Sequence, residues 1–245
     1  MFCALLRPAL ALDAPRIWRV CITDSVAPPY LTNDAAHPGI IERILVRSGA
    51  EVGLDTLLIR YPALRCRAMM EAQSLDAWIA APTPGNLATA QFPMKDGAID
   101  PGRRIARINL VWVKRGESPY DWLGGRLKGG TPSELLVGTR AGVQAAIGPV
   151  QELGFKVDAT ASSAHQLLLK LQRGRVDMAA AFQDEVEVGL QDPALQGLVV
   201  LPTALSSTMI YVAVRKNLPP EMMPQVESWW TAIGRLREMP EYRAK

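Results

Sequence analysis

Apolar positions along this chain follow two rhythms that take turns. Residues 17–23, IWRVCIT, alternate in character and carry β-branched side chains, which predicts a strand. Gly39 then opens GIIERILVRSGAEVG, whose Ile40, Ile41, Ile44 and Leu45 share one helical face and whose Gly53 suits a helix end. LDTLLIRY (54–61) reads as a second strand, ALRCRAMMEAQS (63–74) as a second helix and LDAWIAA (75–81) as a third strand. The order β-α-β-α-β predicts an α/β layered unit with a largely parallel sheet.

A long loop with Gly97, Pro101 and Gly102 leads to RINLVWVKRG (107–116), a strand with no helix directly behind it. The alternation then starts again. ELLVGTR (134–140) is a strand, GVQAAIGPVQELG (142–154) a helix and KVDAT (156–160) a strand. Ser163 begins SAHQLLLKLQRG, with Gln166 placed to complete a capping box. RVDMAAAF (175–182), GLVVLP (197–202) and TMIYVAVRK (208–216) are further strands. An amphipathic helix from Pro220 then buries Met223, Val226, Trp230 and Ile233. The two bracketing strands predict that the chain crosses to a second lobe and returns. Residues 17–110 plus 212–245 form lobe 1, residues 111–211 form lobe 2, and a cleft between them closes by hinge motion.

The stretch 80–97 is uncharged until Lys95, yet Pro82, Pro84, Gly85, Asn86, Gln91 and Pro93 interrupt it far short of the roughly 20 apolar residues that a membrane helix needs. It reads as a loop delivered to a cleft by the third strand. A net charge of +3 with scattered basic residues lacks the footprint of a nucleic-acid binder. GGRLKGG (124–130) lacks the Lys-Ser/Thr of a phosphate loop and reads as a surface hairpin. His37 and His165 are isolated, which argues against a metal centre, and nothing calls for a cofactor. Residues 1–16 read as the tail of an export signal with an A-x-A site, or as a disordered leader or misplaced start. Cys3 would leave with a signal, so Cys21 and Cys66 remain either as one disulfide or as two buried thiols.

Six segments, in order over almost the whole chain, resemble the periplasmic solute-binding proteins of amino-acid-type ABC importers. They are DSVAPPY (24–30), Gly39 at the first helix, LDA (75–77), TPGNLATAQFP (83–93), VGTRAG (137–142) and LQRGRVDMAAAF (171–182). Arg65-Cys66, FPMKDGAIDPGRR and WWTAIGRLREMPEY look more like a divergent branch. The resemblance implies a two-lobed type II fold and a monomer in the periplasm. It also implies a small polar or anionic solute, with an ABC permease or a membrane sensor as partner.

The same resemblance assigns ligand contacts to Asp24 and Tyr30, beyond the first strand. It places Thr83 and Asn86 in the third-strand loop, where Asn86 stands in the position of the family's carboxylate-binding arginine. Losing that bidentate pair makes an ordinary amino acid a poor candidate. Gly142 opens a helix whose amides offer an anion site, although Val143 and Gln144 occupy its hydroxyl positions. Phe182 stands where an amine-binding acid is expected, with Asp184 two residues on. Arg65 and Arg140 are the substitute cations. Two further readings stand beside solute binding. One is a dehydratase-like enzyme using Asp24, Asp184 or Glu185. The other is an interaction module whose cleft is filled by Tyr30 and Phe182.

Overall fold

The computed structural model describes residues 16–243. The leader expected over 1–16 lies, but for Arg16, outside them. The first half carries β1 (Ile17–Thr23), α1 (Ile40–Glu51), β2 (Asp55–Tyr61), α2 (Ala63–Glu71), β3 (Ala77–Ala80), α3 (Pro84–Thr89), β4 (Ala90–Gln91), β5 (Met94–Lys95) and β6 (Ala98–Ile99). β7 (Ala106–Arg115) leaves this half. Then come β8 (Asp121–Leu123), β9 (Arg126–Lys128), β10 (Leu136–Arg140), α4 (Gln144–Glu152), β11 (Lys156–Ala161), α5 (Ala164–Gln172), β12 (Met178–Phe182), α6 (Gln183–Gly189) and β13 (Leu198–Val200). β14 (Ser206–Arg215) returns, and α7 (Met223–Arg237) follows.

The main sheet has the order β11-β10-β12-β7-β14-β3-β1-β2. Each half repeats one plan: its second strand, its first, its third, then a crossing strand. The first three are parallel. The crossing strands are antiparallel to everything they touch. β7 pairs with β14 from Ala106 to Leu110 and with β12 from Leu110 to Val113; β14 pairs with β7 up to Ile210 and with β3 from Tyr211. The fold is therefore two α/β lobes joined by a two-stranded ribbon.

Strand periodicity sorts side chains to the two faces of each lobe. In β1, Trp18, Val20 and Ile22 face α1 and α7, while Cys21 faces α2, where a disulfide joins it to Cys66. In β7, Leu110 and Trp112 pack with Trp122 and Phe155, while Val111 and Val113 meet Leu167, Leu168 and Leu171 of α5. α7 is held on lobe 1 by two buried tryptophans. The Trp229 indole donates to Ser48 Oγ at 2.8 Å and the Trp230 indole to the Val212 carbonyl at 2.7 Å.

Three local expectations change. Residues 84–89 form a helix rather than open loop, with Pro84 at its first turn and Thr83 Oγ1 accepting from the Asn86 amide. Residues 94–99 add a small hairpin, β5–β6. At α5, Ser163 caps the helix, but Gln166 Oε1 accepts from the Ser162 amide rather than from Ser163. The hairpin expected at 124–130 is β8–β9, turned at Gly124 and Gly125, both with positive φ.

Candidate interlobe site

A cavity of about 120 Å³ lies between the lobes, against the crossing strands. Ile108 of β7 and Ile210 of β14 lie on its wall, and Leu31, Ile41, Ile79 and Phe182 add apolar surface. Tyr30 reaches it because α1 begins under the preceding turn. The Ile40 and Ile41 amides donate to the carbonyls of Pro29 and Tyr30 at 2.9 and 3.1 Å. A Cβ on Gly39 would lie 2.2 Å from the Tyr30 carbonyl oxygen, so only glycine permits this approach. Burial, and then the nearby Asp184 carboxylate, push the Tyr30 phenol up.

Asn86 is buried, 6 % exposed, on the lobe 1 wall. Its Nδ2 donates to the Ala81 carbonyl at 2.9 Å, and its Oδ1 has no partner among the described residues. Thr83, expected as a ligand contact, spends its hydroxyl on the cap of α3 and does not line the cavity.

Arg140, at the end of β10, is on the wall and also 6 % exposed. Its Nη1 donates to Glu185 Oε1 at 2.7 Å and, across the cleft, to Ser25 Oγ. Arg140 is therefore not a free cation. Arg65 is exposed and lies outside the cavity. Its guanidinium stacks on Tyr61, with Cζ 3.8 Å from the ring centre. Both expected substitutes for the missing arginine are thus otherwise engaged.

Asp24 is exposed and stands apart from the cavity. It borders a second interlobe hollow of about 300 Å³, together with Ser25, His165 and Asp192, and the two hollows share Arg140 and Glu185. Gly142, Val143 and Gln144 do line the cavity. However, the Val143 and Gln144 amides point to the Arg140 and Gly142 carbonyls, at 3.4 and 3.1 Å, which weakens the anion site expected there. Gly142 has φ +74°, and a Cβ on it would lie 2.8 Å from the backbone of Leu64 in α2, on the opposite lobe. Together with Ser25–Arg140, this close approach marks the conformation as closed.

Asp184 and Glu185 lie in the first turn of α6 and face the cavity with Phe182. Burial, followed by Glu187 and Glu185, pushes the Asp184 carboxyl up to about 6. Burial also raises the Glu185 carboxyl, against the opposing pull of Arg140. Among the described residues, the charged side chains on the cavity wall are Arg140, Asp184 and Glu185, one positive against two negative when all are ionised. Tyr30 and Phe182 border open volume and do not fill it. Among the described residues, no group of three or more potential metal ligands occurs.

Among contacts missed in the sequence, Ile108 and Ile210 had a usable signal, since alternation along each crossing strand sets their face. Ser25 had only its position beside Asp24.

The fold as a whole is shared with solved proteins. That is the fold of the two-lobed solute-binding proteins. Holo ArgBP from T. maritima superposes with a TM-score of 0.69 at 17 % identity, covering 92 % of each chain. The substrate-binding protein of an amino acid ABC transporter gives 0.68 at 14 % identity, covering 93 % of this chain and 96 % of that one. The GluR0 ligand-binding core from Nostoc punctiforme, in complex with L-glutamate, gives 0.63 at 13 % identity, covering 90 % and 97 %. No family model and no curated protein sequence matches the chain.

Proposed function

We propose that this protein binds a small, predominantly apolar solute that carries an amine and no carboxylate, closing its lobes around it. The observation that carries this reading is the engagement of Arg140 by Glu185 and Ser25, which leaves the wall acidic on balance. An ammonium would donate to Asp184 on one lobe and to the free Asn86 Oδ1 on the other, while its body meets Ile108, Ile210 and Phe182. A ligand that contacts both lobes favours the closed state by its differential affinity for it. Solved proteins of the same fold bound to arginine or glutamate support cleft binding as such.

In this reading residues 17–110 with 212–245, and residues 111–211, move as two units about β7 and β14. The protein works as an extracytoplasmic monomer that delivers its solute to an ABC permease or reports it to a membrane sensor. The Cys21–Cys66 disulfide supports an oxidising compartment. Thermal-shift and calorimetric screening of short alkylamines, the matching alcohols, the matching carboxylates and standard amino acids tests the ligand class. Amines are expected to bind best; carboxylates or zwitterions binding as tightly would refute it.

The raised carboxyl of Asp184 also suits a proton-transferring group, which favours a dehydratase-like enzyme as the second reading. Turnover of any screened compound that Asp184→Asn abolishes, with binding retained, would establish it. Turnover untouched by that change would remove it.

A further inference from the structure

We infer that Glu185 is the specificity-determining residue that keeps carboxylates out of the cleft, by occupying the one arginine on the cavity wall among the described residues. The inference rests on the proposed binding function and names what sets its ligand class. Arg140 and Glu185 are both 6 % exposed, and both border the cavity and the second hollow. Arg140 stands where the lobes meet, with Ser25 of lobe 1 on its Nη1. A guanidinium so placed would take a ligand carboxylate through charge-assisted, paired hydrogen bonds. Glu185, reaching back from the first turn of α6, supplies that carboxylate from within the chain.

Replacing the whole pair with apolar residues of the same volume need not cost stability, whereas removing Glu185 alone strands a buried guanidinium. The pair is also incompletely satisfied. Glu185 Oε2 is buried without a partner among the described residues. This is the arrangement expected where a protein carboxylate holds a place that a ligand carboxylate could fill. Removing it leaves a buried guanidinium whose need for an anion an added carboxylate can meet.

The test uses the full chain with Glu185→Gln, which keeps the shape and removes the charge, and Glu185→Ala, which also opens space. Acetate and propionate are titrated against chloride at equal ionic strength, following melting temperature and heat of binding. Either folded variant is expected to gain propionate affinity of the order of 10- to 100-fold over wild type, the scale of a charge-assisted hydrogen bond. The double variant Arg140→Gln/Glu185→Gln is expected to lose that gain. If neither single variant folds in chloride, folding in acetate becomes the readout: rescue supports the inference and its absence overturns it. A folded variant that ignores propionate, or a gain that survives in the double variant, also overturns it. In those cases amine binding by the wild type still stands or falls on its own screen. Wild-type protein that binds propionate as well as the variants do overturns both readings.

Discussion

Substituting Gly142→Ala separates lobe closure from folding. The left-handed backbone at Gly142, φ +74°, costs an alanine about 1–2 kcal/mol wherever that turn is formed, open or closed. The second cost arises only on closure. The new Cβ would lie 2.8 Å from the Leu64 nitrogen and Cα, which are backbone atoms of α2 and cannot rotate away. Ordinary carbon contacts begin near ~3.5 Å, so the lobes must part by about 0.7 Å at that point. Overpacking of this kind penalises the closed state by about 1–3 kcal/mol, a loss of roughly 5- to 150-fold in affinity for whichever ligand binds the wild type. Calorimetric titration reads the affinity, thermal melting reads the backbone cost, and small-angle scattering with saturating ligand reads how far the lobes remain apart. A variant that melts earlier yet binds within twofold of wild type would show that the Gly142–Leu64 approach is not part of the ligand-bound state.

Asp184 predicts a pH dependence of stability. Its folded pKa of about 6 lies above its unfolded value, so ionising it opposes folding. Stability should fall as pH rises from the unfolded value through about 6, by no more than about 1 kcal/mol once solvent screening of a half-exposed group is allowed for. Asp184→Asn should flatten that part of the melting profile, whereas amine affinity in the wild type should rise over the same range as the carboxylate forms. Asn86→Ala should weaken amine binding by roughly 5- to 10-fold through loss of the Oδ1 acceptor, with about 1 kcal/mol of stability lost from the Nδ2 bond to Ala81; unchanged calorimetric affinity would exclude Oδ1 as a ligand contact. Reducing the disulfide, which spans 45 positions, should lower folding stability by about 4 kcal/mol on the loop-entropy scale, measured by denaturant melts with and without reductant.

The element order was legible because it is written in local periodicity: Ile40, Ile41, Ile44 and Leu45 can share a face only in a helix, and IWRVCIT alternates only in a strand. The two crossing strands were legible because they bracket the second run of β-α alternation, the first with no helix directly behind it and the second leading into the terminal helix. α3 was missed although Thr83-Pro84 is a helix-start signal, since six residues are too few to show a 3.6 period. The site was harder to read. Asn86 from one lobe and Arg140, Gly142 and Phe182 from the other line one cavity, as their places at strand ends foretold, but the partner of Arg140 lies 45 positions away and on another element, so its neutralisation has no local signature. Likewise Arg65 turns outward onto Tyr61, a packing choice among rotamers that residue type leaves open.

The crossing ribbon also fixes an order of assembly. Every strand that β7 and β10 to β13 contribute to lobe 2 has left the ribosome before β14 is complete. Lobe 1 instead waits for Val212 and Val214 to fill its sheet and for Trp229 and Trp230 to cover Trp18 and Ile44. A growing chain can thus close its inserted lobe while the lobe that it began first still shows an apolar face to whatever surrounds it.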